Sequence, residues 1–201
     1  SYYPTKVLST DRGIINLWVA RMIFSGMEFI GKKPFTDIII HPTVLTKDGK
    51  RMSKSLGTGI DPMTYIEKYG ADATRFGIIW QTMGTQDIHW SEEHVIAGKK
   101  FLNKIWNAAR FVLLQNENSK FKIQNSKSEF NLKNESDKII LEKLTETKKR
   151  VNTYINTYEF GQALHTLYDF FWHSYCDIYL EASKKSESKE SKKILIYVLV
   201  E

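Results

Sequence analysis

Polar and apolar positions are mixed at the start of the chain, where Val7 and Leu8 sit in a run from residue 4 to 9 that predicts a short strand. The next stretch, from about Ile14 to Ile30, is apolar over most of its surface through Leu17, Trp18, Met22, Phe24 and Met27, with Arg21 among them. This pattern predicts a helix, capped by Thr10 or Asp11 and closed by Gly31. Asp37 to His41 is a continuous β-branched run, the pattern of a buried strand. Val44-Leu45 and Arg51-Met52 flank Asp48-Gly49, which predicts a tight hairpin. Asp61-Pro62 places a capping carboxylate before a proline at the first helical position, and Gly70 separates that helix from another starting at Ala71.

Every later segment reads as helix or loop. Val95, Phe101, Leu102, Ile105, Trp106, Ala109 and Val112 recur at helical spacing from Ser91 to about Leu114. Residues 137 to 182 predict at least two more helices, split between Tyr158 and Gly161. Asn116 to Ser136 is rich in Asn, Ser and Lys and reads as a solvated loop, and Ser183 to Lys193 as a shorter one. Strand, helix and strand alternate in the first sixty residues, which is α/β texture. The expected fold class is therefore an α/β portion followed by an all-α helical bundle, mostly helical overall.

Composition narrows the classes. The chain has 201 residues, 42% of them hydrophobic, enough for one large or two modest domains with a real core. A net charge of +6 suits a polyanionic partner. A single cysteine, Cys176, excludes an internal disulfide framework and a zinc site built on several cysteines, and makes a reducing compartment the simple reading. No stretch approaches the roughly 20 consecutive apolar residues of a membrane span. The opening SYYPTKVL lacks the basic-then-apolar layout of a signal peptide and reads as the interior of a longer protein.

The segment DGKRMSKSLGTGIDP, residues 48 to 62, cannot build a core. Lys47, Lys50, Arg51 and Lys54 fall within eight residues, Ser53 and Ser55 flank one lysine, and Gly57 and Gly59 follow. Ammonium groups, hydroxyls and the N–H groups of a glycine-rich turn are what a triphosphate needs. The spacing is not that of a Walker A loop. On charge alone, an exposed basic hairpin tip is the better explanation of the segment.

The word Arg51-Met52-Ser53-Lys54-Ser55 is one residue from the K-M-S-K-S signature, and its setting matches too: Ile38-Ile39-Ile40-His41, then Asp48-Gly49, the signature, Gly57 and Asp61-Pro62. In this it resembles the class I aminoacyl-tRNA synthetases. Leu17 to Ile23 is similar to the segment before the signature in the valyl branch. Tyr69-Gly70-Ala71-Asp72-Ala73-Thr74-Arg75-Phe76, Gln86-Asp87-Ile88 and Phe101 to Asn107 are similar to segments shared by the valyl, isoleucyl and leucyl branches. Ala163-Leu164, Tyr168-Asp169-Phe170, Trp172 and Cys176 to Glu181 favour the valyl branch, with the isoleucyl branch as the rival.

That resemblance implies three parts: residues 1–60 as the end of a Rossmann-like catalytic domain, 61–95 as a stem-contact helical region, and 96–201 as an anticodon-binding bundle. It implies ATP with Mg2+ as substrate and no metal held by the chain itself. It also implies valine and tRNA(Val) as partners, and a cytoplasmic ligase with no membrane attachment. The family's second ATP motif, H-I-G-H, and its inserted editing domain are not in this chain, so the N-terminal catalytic half and the editing domain of the same protein are further implied partners. By resemblance Lys54 is the catalytic cation on the triphosphate. Arg51, Met52, Ser53, Ser55 and His41 complete the ATP site, and Trp18 walls the amino-acid pocket.

Three positions depart from the family pattern: Asp11-Arg12-Gly13 stands where Gly-Tyr-Asp is common, Pro42 where glycine follows the histidine, and Thr58 where asparagine follows the signature. Lys104, Arg110, Lys149 and Arg150 are the candidate tRNA contacts, of the kind that positions RNA on its phosphates. Trp106, Tyr154, Tyr158, Phe170, Phe171 and Trp172 could stack on splayed bases, although their helical spacing fits core packing as well. A non-enzymatic RNA-binding module would explain the basic helices but not the signature-bearing hairpin.

Overall fold

The computed structural model describes residues 2–53, 55–84, 86–115, 130–132, 134–184 and 188–201. Lys54 and most of the polar loop from Asn116 lie outside the described residues. Two parallel strands open the fold, β1 (Thr5–Asp11) and β2 (Phe35–His41), in register from Thr5 opposite Phe35 to Asp11 opposite His41. Parallel strands need a crossover, and here it is helical. A 3₁₀ turn at Arg12–Ile14 and a wide π-type turn at Ile15–Val19 lead into helix α1 (Ala20–Ile30). Gly31, at φ 70°, ends α1 in the left-handed conformation expected of it.

Two expectations about this part are corrected. β2 forms where the pattern placed it, but it is not a buried strand. Phe35 is buried while Ile38 and Ile40 are exposed, because β1 is its sole strand partner among the described residues. The 19-residue run Arg12–Ile30 contains an 18-residue window with a mean hydropathy of 1.3, long and apolar enough to cross a membrane by length and composition. Counting only uninterrupted apolar residues missed it, since Arg21 and Glu28 break the run.

After β2 the chain turns through the hairpin. β3 (Val44–Leu45) bridges back from Leu45 to Arg51, and the turn closes through Thr46 N to Lys50 O (2.8 Å) and Gly49 N to Thr46 O (3.0 Å). Gly49 takes φ 76°, which the tight turn requires. A short strand β4 (Ile88–His89) adds to β3 in parallel, which corrects the reading of everything beyond residue 61 as helix or loop. Two residues carry no periodicity that a sequence could display.

Helix α2 (Pro62–Tyr69) starts on Asp61, whose carboxylate accepts from Met63 N at 2.9 Å, and α3 (Ala71–Trp80) follows Gly70 directly. Helix α4 (Glu92–Gln115) packs tightly on α3. A Cβ on Gly77 would come within 2.8 Å of Val95, and one on Gly98 within 2.8 Å of Phe76. α4 runs unbroken through residues 95 and 96, so the helical stem region and the bundle share it.

The bundle continues with α5 (Glu135–Asn156) and α6 (Phe160–Asp169), separated by Tyr158 at φ 62°. A π-type stretch, Phe170–Leu180, extends α6 into the three-residue α7 (Glu181–Ser183). Helix α8 (Lys189–Val200) closes the chain and starts within the stretch expected to be loop, with Ser188 capping Ser191 N. Its Ile194, Leu195, Ile196 and Val198 join Val112, Ile140, Leu144 and Tyr175 in the core. Trp106 departs from the core pattern of α4 and is 73% exposed.

Candidate nucleotide site and basic helices

The carboxyl ends of β1 and β2 lie side by side, and ligands in open α/β sheets bind in the crevice outside such ends. Asp11 ends β1 and His41 ends β2, directly opposite each other. The Asp11 carboxylate accepts from Gly13 N and from Thr43 Oγ1, both at 2.5 Å. These bonds, first from the Thr43 hydroxyl and then from the Gly13 amide, hold its carboxyl below the usual range, and the Arg51 and His41 charges add to the effect. Asp11 is therefore an ionised clasp between the end of β1 and the link from β2 to β3.

A second carboxylate reaches the same link from far along the chain. Asp87 Oδ1 accepts from Thr43 N at 3.1 Å, and both its oxygens meet Arg12 Nη2, at 3.1 and 3.3 Å. Arg12 is 59% exposed, so this pair contributes little to global stability. Its consequence is positional. Arg51 lies over the strand ends, with Nη2 at 3.6 Å from where a Cβ on Gly13 would stand. His41 is exposed, and its Nδ1 lies 3.1 Å from the Pro42 carbonyl.

The loop beyond Arg51 folds back on itself. Ser53 N donates to Thr58 Oγ1 at 2.9 Å, and Thr58 N to Ser53 O at 3.1 Å. The hydroxyls of Ser53 and Ser55 are 2.9 Å apart, and Gly57 takes φ 64° to close the turn. Arg51, Met52 and Ser53 thus follow the hairpin directly, Ser55 is exposed on the loop, and Lys54 lies outside the described residues. Trp18 is on the π-type turn at the start of the crossover, half exposed. Among the described residues, no group of three or more His, Cys, Asp or Glu could hold a metal ion.

The basic residues of the bundle form a separate group. Lys104 Nζ contacts Asp177 Oδ1 at 2.8 Å and lies 5.0 Å over the Trp172 ring. That carboxylate pushes the Lys104 amine up, and Lys104 in turn holds Asp177 down. Lys104 is thus tied into the bundle, whereas Arg110, Lys149 and Arg150 are exposed. Phe170 is buried, and Tyr154, Tyr158, Phe171 and Trp172 are partly buried. Among the described residues Trp106 makes no ring contact.

Thr43 and Asp87 escaped the sequence reading. Their partners lie 32 to 75 residues away, and no local pattern reports such ties. The one available signal was Gln86-Asp87-Ile88, a recognisable word without an assigned contact.

Comparison with known proteins first defines the class. Residues 1–91 match the family described as tRNA synthetases class I (I, L, M and V), and residues 137–201 match the anticodon-binding domain of tRNA ligase. These matches place residues 1–91 with the class I tRNA synthetases and residues 137–201 with the anticodon-binding domains of tRNA ligases. Within the class, the chain is similar to valine--tRNA ligases. It is 45% identical over 205 residues to that of Bacillus thuringiensis subsp. konkukian, covering 98% of this chain and 23% of the relative. It is 46% identical over 199 residues to that of Pseudothermotoga lettingae, covering 99% of this chain and 22% of the relative. The chain thus spans under a quarter of the length of these relatives. The fold alone is shared with LeuRS of Agrobacterium radiobacter K84, solved with tRNA and LeuAMS (TM-score 0.75, 19% identity, 98% of this chain and 24% of that one). It is also shared with methionyl-tRNA synthetase of Mycobacterium tuberculosis, bound by methionyl-adenylate (TM-score 0.71, 20% identity, 98% of this chain and 39% of that one).

Proposed function

We propose that this chain is the portion of a valine--tRNA ligase that supplies the ATP loop and the tRNA-binding helices, in a cytoplasmic enzyme. The observation that carries the reading is the signature-bearing hairpin held at the carboxyl ends of two parallel strands. The whole protein, with its N-terminal catalytic half and editing domain, activates valine with ATP and Mg2+ and transfers it to tRNA(Val). In the first step a valine carboxylate oxygen bonds to the α-phosphorus. The bond from that phosphorus to the bridging oxygen breaks, and its electron pair leaves with pyrophosphate. Negative charge grows on the phosphate oxygens, so positioning and electrostatic stabilisation are what the protein supplies.

In this reading the Lys54 ammonium sits on the triphosphate as that charge develops. Arg51 adds a second cation, a planar fork where the family has a compact ammonium. Ser53, Ser55 and the backbone of residues 52 to 58 complete the cradle. His41 faces the adenine and Trp18 borders the valine. Residues 1–60 form the end of the catalytic domain, 61–95 the stem-contact region and 96–201 the bundle. In the bundle Arg110, Lys149 and Arg150 meet tRNA phosphates. The exposed Trp106, on the same helix as Arg110, offers a stacking platform. Lys104 orients Asp177 and Trp172 rather than the RNA.

The test is amino-acid-dependent ATP–pyrophosphate exchange by the intact protein. Valine supports exchange well above isoleucine, and the 201 residues alone support none. Exchange that follows isoleucine instead, or exchange by the isolated chain, overturns the reading.

A further inference from the structure

The hairpin that carries Arg51 is held by a segment that lies far along the chain from it. Asp87 precedes β4, on the helical side of the molecule, and receives both the Thr43 amide and the Arg12 guanidinium. Two backbone bonds continue the attachment, Ile88 N to Thr43 O at 3.0 Å and Trp90 N to Leu45 O at 2.9 Å. At the far end of the hairpin, His89 Nδ1 lies 3.3 Å from the Lys47 carbonyl. Its ring fills the space of the missing Gly49 side chain, with Cε1 at 3.1 Å from where a Cβ would be. The hairpin is therefore clamped at its root by Asp87 and propped at its turn by His89. Both contacts come from β4 and the residue just before it, between α3 and α4.

From this geometry we infer that Asp87 is a positioning residue for the ATP loop, fixing the root of the hairpin and the Arg12 turn so that Arg51 and the loop after it face the strand ends. The inference rests on the ATP-loop reading above. Asp87 touches no substrate itself. Its carboxylate fits because it supplies two acceptor oxygens to two donors on separate segments. An asparagine keeps one acceptor for Thr43 N but loses the charge that holds Arg12, and an alanine loses both.

The experiment uses the intact protein carrying Asp87→Asn or Asp87→Ala, with KM for ATP and for valine measured in pyrophosphate exchange, tRNA affinity by filter binding, and Tm. Misplacing a catalytic group by about 1 Å can cost on the order of a hundredfold. The expected result is a rise in KM for ATP of about tenfold in Asp87→Ala, partly recovered in Asp87→Asn. KM for valine, tRNA affinity and Tm stay near wild type. An unchanged KM for ATP overturns the inference. So does a fall in Tm with both KM values moving together, which marks Asp87 as structural only. Full exchange activity in Lys54→Ala rejects the underlying ATP-loop reading, whatever Asp87 does.

Discussion

Gly161 has no room for a methyl group. It is the second residue of α6, and a Cβ there would overlap the carbonyl oxygen of Thr82, just beyond the end of α3. The obstacle is backbone rather than a flexible side-chain tip, so it cannot move aside cheaply. Gly161→Ala is expected to destabilise the protein by about 1–3 kcal/mol, the usual cost of overpacking a tight contact. Chemical denaturation checks this, and an unchanged midpoint would show that the two segments separate freely. Next to it, His165 reinforces the same contact. Its ring stacks on Trp80 with centroids 3.5 Å apart, and its Nε2 lies 3.0 Å from the Trp80 carbonyl. That carbonyl belongs to the last turn of α3, which has no partner within its own helix. The sequence marked Gly161 only as part of a helix break. The space it leaves is decided by a residue 79 positions earlier, which no pattern around Gly161 reports.

At the scale of elements, the bundle is joined by a buried carboxylate as well as by its core. Asp137 in α5 is 1% exposed, and its side-chain donors among the described residues are neutral. Tyr179 OH reaches Oδ1 at 2.7 Å, while Ser191 Oγ and Asn134 Nδ2 reach Oδ2 at 3.0 and 3.3 Å. These bonds tie the start of α5 to the π-type stretch and to the first turn of α8. Burial and the Asp137 charge push the Tyr179 hydroxyl well above its ordinary pKa, so it stays a donor through the working range. Tyr179→Phe leaves the buried carboxylate one donor short, which costs about 1–3 kcal/mol. Thermal unfolding reads this as a lower Tm, and a Tm equal to wild type would mean that water replaces the hydroxyl. The same knot explains why α8 was hard to read in the sequence. Its polar first turn, Lys189 to Lys193, looks like loop, yet Ser188 caps it and Ser191 anchors it to Asp137. Local chemistry was legible where it acts locally. Gly31 ends α1, Asp61-Pro62 starts α2, and Asp48-Gly49 turns the hairpin, each through its own backbone preference. β4 and the exposure of β2 depend on distant partners and were not legible.

Across the whole molecule, one chain of contacts runs from the basic bundle to the strand ends. α6 rests on the end of α3, α3 leads to Asp87 and β4, and β4 carries the hairpin. Trp106 and the cations Arg110, Lys149 and Arg150 are exposed on the bundle helices, and Arg51 is exposed on the hairpin. The signature word was the strongest signal in the sequence because a phosphate-binding loop is a local arrangement of cations, hydroxyls and glycines. The clasp formed by Asp11, Thr43 and Asp87 was not visible, since it is assembled from three separate segments.

The central claim is that the Lys54 ammonium acts on ATP, and substitution by alanine in the intact protein addresses it most directly. Loss of one preorganised cation from a developing phosphate charge costs about a hundredfold to a thousandfold in rate. Valine-dependent pyrophosphate exchange by Lys54→Ala should fall by that order while tRNA affinity stays near wild type. Undiminished exchange, or a loss of tRNA affinity with exchange intact, would contradict the account.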